Sequence, residues 1–331
     1  MRASIIGGGT WGSAFAIYLG RQKIKTQLWI REKEIFKEAH SSRENKVFLP
    51  GFSFPPAVSL FNDFEEALYS ADVVFIAVPS KFCRTIYVKI APFLYPEQII
   101  VSLTKGIEEG TLKRMSEIME EVFSQFFSSR IVVISGPSFA REVIQGHPTA
   151  VVLASKDIKL AREVQHFISS LYFRGYTCDD VVGVELCGAL KNVVAIAAGI
   201  SDSLQFGSNS KAALITRGLA EITRLGLKLG AKQPTFAGLA GMGDLVLTCT
   251  GKLSRNRNIG IELGKGKRLS DITSKMKMVA EGISTTLSAH QLSSREKVEM
   301  PICEQVYQVL YKNKNPKNAL RELLSRKLKE E

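Results

Sequence analysis

Hydrophobic positions change rhythm once along the chain. Up to about residue 178 they gather in short β-type runs, each followed by helical spacing; beyond it the spacing is helical almost throughout. The short runs predict strands at 2–6, 26–30, 58–61, 72–79, 99–103, 131–134, 149–154 and 172–178. Helices are predicted at 11–21, 32–39, from the Asn62-Asp63 cap to 70, and at 81–94, 111–126 and 157–170. The run at 72–79 is apolar from end to end between Asp72 and Pro79, as in a strand buried on both faces of a parallel sheet. Further helices are expected at 181–204 and 210–229, after a Ser254 cap, and at 283–294, 301–312 and 316–329. The expected fold is α/β: a doubly wound sheet domain over residues 1–178 and an all-α domain over 179–331.

The helix at 181–204 is hydrophobic on nearly every face, which implies burial on most of them. Lys191 nevertheless stands in its middle, with Asn192 beside it and Glu185 nearby. A buried ammonium must find partners, lose its proton, or reach water along its stem. Lysine taken alone favours the last. A lysine held away from water also gives up its proton more readily, which makes it an acid or base usable at neutral pH.

Other positions raise the weight of a chemical role. Gly7, Gly9 and Gly12 fall at GxGxxG spacing between the first strand and the first helix. There the first glycine makes the turn, the second admits a pyrophosphate, and the third lets helix and strand pack closely. Dinucleotide binding on a Rossmann-like sheet is therefore expected, the alternative being a merely structural turn. At the end of the second strand Arg31 precedes Glu32; arginine there favours the 2′-phosphate of NADPH without excluding NADH, unless Arg31 is an exposed, salt-bridged residue. Three more strands end in small or charged residues at the same sheet edge: Pro79-Ser80, Thr104-Lys105-Gly106, and 135–140 with Gly136, Ser138 and Ala140. The segment 40–56, punctuated by proline and glycine, is long for a connector and must be functional or well packed. Asp244 is the single acid of a glycine-rich stretch, 235–251. Ser254 reads as a helix cap followed by Arg255, Asn256 and Arg257. Cations at a helix N-terminus oppose its dipole, so either an anion binds there or the turn is solvated.

Composition narrows the class. The chain has 331 residues, 45% hydrophobic and 23% charged, which is globular and long enough for two domains. The N-terminus runs straight into the glycine turn, with neither a spanning helix nor a cleavage pattern, so a cytoplasmic protein without integral membrane contact is expected. Cys83, Cys178, Cys187, Cys249 and Cys303 are scattered and read as reduced thiols; His40, His147, His166 and His290 lack ligand spacing, and no metal is expected. The net charge of +12 is spread along the chain without a nucleic-acid module, which suits anionic small molecules better than nucleic acid.

Taken in order, GGGTWGSA, ENKVFLPG, SLTKGIE, SGPSFAREV, ELCGALKNVVAIAAGI, NSKAALITRGLAEITRLG, TFAGLAGMGDLVLTCTG and SRNRNIG make the chain resemble, nearly end to end, the bacterial NAD(P)-dependent sn-glycerol-3-phosphate dehydrogenase family. The resemblance implies a Rossmann-like N-terminal domain, an all-helical C-terminal domain and a homodimer. It also implies interconversion of dihydroxyacetone phosphate and sn-glycerol 3-phosphate with NADH or NADPH, which supplies glycerophospholipid synthesis. By motif it gives Lys191 the acid/base role, supported by Lys105 and Asp244. Substrate contacts fall on Lys105, Gly136, Ser138, Lys191, Asp244, Ser254, Arg255 and Asn256. Cofactor contacts fall on Gly7, Gly9, Thr10, Trp11, Gly12, Arg31, Lys105, Ala140, Arg255, Val279 and Glu281. The nicotinamide would lie at the sheet's carboxyl edge, facing the Lys191 helix. Asp202-Ser203-Leu204 departs from the family's Asp-Gly-Leu and would stiffen a turn. A β-hydroxyacid dehydrogenase of the same plan and a non-catalytic dinucleotide sensor are the competing readings.

Overall fold

The computed structural model describes residues 1–123, 130–274, 276 and 279–327. Its contacts divide the chain into one unit of Met1–Lys105 with Arg114–Val184 and another of Gly106–Lys113 with Glu185–Glu331. The division thus falls after Val184, where Cys178 was the expected boundary, and a short excursion, Gly106–Lys113, sorts with the helical unit.

The first unit is built on strands β1 (Ala3–Ile6), β2 (Thr26–Trp29), β3 (Val58–Phe61), β4 (Val73–Ile76), β5 (Ile99–Ser102), β6 (Ile131–Ser135), β7 (Thr149–Ala154) and β8 (Phe173–Cys178). They form an eight-stranded sheet in the order β3-β2-β1-β4-β5-β6-β7-β8. The chain winds outward from β1 to β3 and then crosses back to place β4 on the other side of β1. This is the doubly wound order, and its ligand crevice lies beyond the carboxyl ends of β1 and β4. Register pairs Ile6 with Trp29 and with Ile76, and Ile76 with Ser102, so β2, β1, β4 and β5 end level at one edge.

Every neighbouring pair is parallel except β6 and β7, which hydrophobic patterning does not predict. The connection between them carries a helix of only five residues, Ala140–Ile144. Such a helix spans about 8 Å, against about 20 Å for a six-residue strand. It is too short to return the chain to the opposite edge, so β7 runs back beside β6.

Apolar side chains fill both faces of this sheet. On one, helix Thr10–Arg21 lays Phe15 and Tyr18 against Phe75 and Phe173, with ring centroids 5.0 Å apart for Phe15–Phe75 and 4.8 Å for Tyr18–Phe173. The Tyr18 hydroxyl donates to the Ile168 carbonyl at 2.5 Å, and burial pushes its pKa up. On the other face Tyr87, Met115 and Ile118 pack on Ile6, Val74 and Ile76. A buried aromatic ring of this kind is worth about 3–5 kcal/mol. Side chains engage part of the backbone on both edge strands, as edge strands often require. At β8, Gln165 donates to the Gly175 carbonyl at 2.7 Å and Ser169 Oγ accepts from the Gly175 N–H at 3.3 Å. At β3, Arg43 donates to the Val58 carbonyl at 2.7 Å. The helix expected at 111–126 occupies Met115–Val122; positions 124–126 lie outside the described residues.

Among its described residues the second unit is helical: Val181–Ser203 (entered at its first turn from the other unit), Gly207–Lys228, Gln233–Ala237, Asp244–Thr250, Arg255–Gly264, Leu269–Thr273, Glu281–Glu296, Pro301–Tyr311 and Pro316–Leu324. Val181–Ser203 is long and apolar enough to cross a membrane, but 89% of its most apolar window is buried inside the protein, as a core helix requires. Glycines let a second helix touch its backbone. A Cβ at Gly199 would lie 1.9 Å from the Arg257 carbonyl oxygen, and one at Gly260 would lie 2.0 Å from that of Ile196. That contact holds the first turn of Arg255–Gly264 against the helix that carries Lys191. The helix expected at 316–329 is seen over Pro316–Leu324; 328 and 329 lie outside the described residues.

Candidate active site

The glycine turn of the first unit matches the sterics of a dinucleotide site. Gly7 has φ 123°, and a Cβ there would lie 2.6 Å from the Ala77 carbonyl oxygen. A Cβ on Gly12 would lie 1.9 Å from the Gly7 carbonyl oxygen, so helix and strand meet backbone to backbone. At Gly9 a Cβ would meet nothing within 4 Å. Gly9 is also the N-cap of helix Thr10–Arg21 and has no side chain to offer the first N–H groups. The open position and the uncapped amides coincide, as pyrophosphate binding at a helix N-terminus requires. These residues therefore fit an NAD(P) dinucleotide.

Around the turn, Thr10 donates its hydroxyl to the Phe48 carbonyl at 3.1 Å, and Trp11 stacks on Phe15 at 5.8 Å. Arg31, just beyond β2, is exposed; its Nε donates to Glu32 Oε1 at 2.8 Å, its Nη2 reaches the same oxygen, and the guanidinium lies 5.4 Å from the Phe82 ring centroid. The salt-bridged alternative for Arg31 is thus what the structure shows. The pair nonetheless leaves a guanidinium and a carboxylate together at the position where the ribose 2′ group is read. Ala140 opens the short helix Ala140–Ile144.

At the next strand ends Lys105, Gly136 and Ser138, scattered in sequence, converge on one atom. Lys105 Nζ donates to the Gly136 carbonyl at 2.9 Å and Ser138 Oγ donates to it at 3.0 Å. Gly136 has φ 125°, which a side chain would strain, and a Cβ there would sit 3.1 Å from Val151 Cα.

In the second unit the Lys191 side chain is buried, 8% exposed, and its head is held by protein partners. Lys191 Nζ lies 2.5 Å from Asp244 Oδ1 and donates to Thr248 Oγ1 at 2.9 Å. Thr248 in turn donates to the Asp244 carbonyl at 2.6 Å. Asp244 opens helix Asp244–Thr250 directly after a π-helical turn, Leu239–Gly243, so Asp244 and Thr248 stand one above the other on a single face. Thr248 escaped the sequence reading, although its i+4 spacing from Asp244 was the available signal. The π turn is the wide-turn geometry often found at functional sites.

Asn192, next to Lys191, begins a second chain of bonds. Its Oδ1 accepts from Asn256 Nδ2 at 2.9 Å, and Asn256 Oδ1 accepts from the Gly282 N–H at 3.1 Å. The bonds tie together the helices Val181–Ser203, Arg255–Gly264 and Glu281–Glu296, placing Glu281 at the start of the third, with Val279 just before it. Ser254 caps its helix, accepting from the Arg257 N–H at 3.3 Å. Arg255 is partly buried; that burial lowers its pKa, and nearby Glu281 opposes the shift. Arg257 points elsewhere: its Nε donates to Asp202 Oδ2 at 2.7 Å, while Lys211 holds the other oxygen at 2.5 Å. Of the two arginines in this turn, Asp202 engages the second. Ser203 is the last residue of its helix and lies in the turn that ends it, closed by the Gln205 N–H donating to the Asp202 carbonyl at 3.1 Å, and its Cβ faces Gly264.

Similarity to known proteins identifies the family. The family model described as NAD-dependent glycerol-3-phosphate dehydrogenase N-terminus matches residues 2–161, and its C-terminus counterpart matches 180–321. A glycerol-3-phosphate dehydrogenase [NAD(P)+] of Citrifermentans bemidjiense is 51% identical over 330 residues, covering 100% of this chain and 98% of that protein. One of Syntrophobacter fumaroxidans is 49% identical, covering 99% of this chain and 96% of that protein. The crystal structure of glycerol-3-phosphate dehydrogenase from Coxiella burnetii superposes with a TM-score of 0.93 at 38% identity, covering 98% of this chain and 99% of that one. With a phosphate-ready glycine turn, a buried lysine–aspartate pair and likeness over its full length, the chain belongs to the NAD-dependent glycerol-3-phosphate dehydrogenase family.

Proposed function

We propose that the protein catalyses the reversible, NAD(P)H-dependent reduction of dihydroxyacetone phosphate to sn-glycerol 3-phosphate. The observation that carries the mechanism is the Lys191 ammonium, buried and held by Asp244 and Thr248. A bound nicotinamide supplies the hydride that the carbonyl carbon takes up. As negative charge grows on the carbonyl oxygen, Lys191 Nζ donates a proton to it, and in the reverse direction takes it back. Asp244 and Thr248 fix the direction of the N–H bonds, so the donor is oriented before the substrate arrives. Arg255, with Ser254 and Asn256, holds the substrate phosphate at a helix N-terminus, where an anion is favoured. Lys105, oriented with Ser138 by the Gly136 carbonyl, adds positive charge for the substrate.

Arg31 favours NADPH; Glu32 beside it leaves NADH in use. A cytoplasmic homodimer feeding glycerophospholipid synthesis, without nucleic-acid or integral membrane contact, completes the reading. Sedimentation tests the dimer, and cell fractionation the location.

The decisive experiment follows the nicotinamide absorbance with dihydroxyacetone phosphate and each reduced cofactor in turn. Lys191→Ala is expected to lower kcat by at least about 100-fold while NADPH still binds. A variant that keeps near-wild-type kcat removes Lys191 from the role. Wild-type protein that binds NADPH without turnover points to the sensor reading instead, and turnover of a β-hydroxyacid in place of the phosphorylated ketone points to the other.

A further inference from the structure

The long connector at 40–56 is not a lid but a strap, and its central residue is Asn45. Asn45 is 1% exposed. Its Nδ2 donates to the Gly8 carbonyl at 2.8 Å and lies 3.0 Å from Ser13 Oγ, while its Oδ1 accepts from the Phe48 N–H at 3.2 Å. The partners fix which way the amide faces, since a carbonyl can only accept and an N–H can only donate. Ser13 Oγ donates to the same Gly8 carbonyl at 3.2 Å. Gly8 is thus clamped from two directions, and it immediately precedes Gly9, the open position of the glycine turn. A second tie runs the other way, from the Thr10 hydroxyl to the Phe48 carbonyl.

The strap is itself rigid. Arg43 Nη2 donates to the carbonyls of Phe54, Pro55 and Val58, Glu44 Oε1 accepts from the Gly51 N–H at 2.7 Å, and Leu49 and Phe54 are buried. It has bonding of its own apart from the ties to the turn. The bonds from Asn45 and Thr10 therefore link two elements that are each already held. One of them carries the amides that meet a pyrophosphate.

We propose that Asn45 is a positioning residue for the cofactor: by holding the Gly8 carbonyl it sets the direction of the peptide groups at Gly9 and Thr10, and so the affinity for NAD(P)H. Glycine offers the turn no side-chain restraint of its own, and a binding group must be held close to its productive geometry by its supporting shell. Asn45 touches no part of the ligand in this scheme. It acts through the backbone of the turn.

The inference rests on the proposed use of NAD(P)H, and binding measured without substrate separates the two. Titration of wild-type protein with NADPH, followed by nicotinamide fluorescence, is the baseline; failure to bind either reduced dinucleotide there sinks the cofactor reading itself. Asn45→Ala is expected to raise the NADPH Kd about tenfold, equivalent to about 1.4 kcal/mol. In steady state the KM for NADPH should rise with it, while kcat and the KM for dihydroxyacetone phosphate stay within about twofold. A Kd equal to wild type, or a parallel deterioration of kcat and both KM values, overturns the proposal, the second because it is the signature of a general structural role. If Asn45→Ala does not fold, Asn45→Asp keeps the acceptor for Phe48 and loses the donor for Gly8. Its Kd should be raised near pH 8 and fall back toward wild type as the new carboxyl is protonated and regains a donor, about pH 6 or below. A Kd that matches wild type at both pH values overturns the role.

Discussion

Lys191 and Asp244 are both withdrawn from water and 2.5 Å apart, so each is the other's condition for being buried. Removing one partner of such a pair leaves an uncompensated charge and costs about 3–5 kcal/mol, whereas replacing both with apolar residues is often neutral. Asp244→Leu alone should therefore lower the urea midpoint substantially, and Lys191→Met with Asp244→Leu should recover most of that loss while remaining inactive. A double variant no more stable than the single one would show that the pair is not held together by mutual need. The proposed anion site likewise turns on single residues. Arg257 is engaged by Asp202, which leaves Arg255 as the arginine of that turn assigned to phosphate. Arg255→Ala is expected to raise the KM for dihydroxyacetone phosphate about tenfold or more, with little change for unphosphorylated dihydroxyacetone. Equal effects on the two ketones would argue against phosphate contact.

Between elements, the clearest device is Glu221, which lies on helix Gly207–Lys228 yet caps a different helix. Its carboxylate accepts from the N–H groups of Ile302, at 2.8 Å, and Cys303, at 3.2 Å, in the first turn of Pro301–Tyr311. Burial pushes its pKa up to about 7, against the pull of those two N–H groups and of Arg224 and Arg326. A carboxyl that holds its proton more tightly folded than unfolded makes the native state bind more protons between the two pKa values. Stability then falls as pH rises from about 4.5 to about 7, by up to about 3 kcal/mol, and levels off above. Glu221→Gln removes that dependence: the Tm difference between wild type and variant should shift in the variant's favour as pH rises through this window. A difference independent of pH would show that Glu221 ionises alike in both states. This long-range cap was invisible in sequence, because Glu221 reads as one more polar residue on an amphipathic helix. Other features were legible for physical reasons. The β2, β4 and β5 runs, the GxGxxG turn and the Ser254 cap are local patterns, and all lie within a residue or a few of where spacing places them. Lys191 stood out because its helix had no other reason to tolerate a charge. The Lys191–Thr248 and Asn192–Asn256 links escaped because their partners lie far apart in the chain, while the reversal of β7 turns on the length of the short helix before it, which apolar patterning does not report. The π turn before Asp244 escaped for a different reason, since glycine-rich sequence permits many backbones and selects none.

Charge acts on the molecule as a whole. With 44 basic and 32 acidic side chains the protein carries +12, and both proposed ligands, a phosphorylated ketone and a dinucleotide phosphate, are anions. A field of that sign raises the encounter rate of anions and is screened over about 10 Å at 0.1 M salt. A local contact such as the one proposed for Arg255 would lie well inside this distance and be screened far less. Salt should therefore separate the two contributions. Raising NaCl from about 0.02 M to about 0.3 M is expected to lower kcat/KM for dihydroxyacetone phosphate several-fold, and to leave kcat at saturation nearly unchanged. Unphosphorylated dihydroxyacetone, measured at saturating NADPH in the same buffers, is the control: it carries no charge for the field to steer, so its kcat/KM should be flat. If both ketones lose activity alike, salt is acting on the protein or the cofactor and the net charge has no part in substrate capture. If neither responds, the +12 is too evenly dispersed over the surface to guide an anion, and local contacts such as Arg255 carry recognition alone.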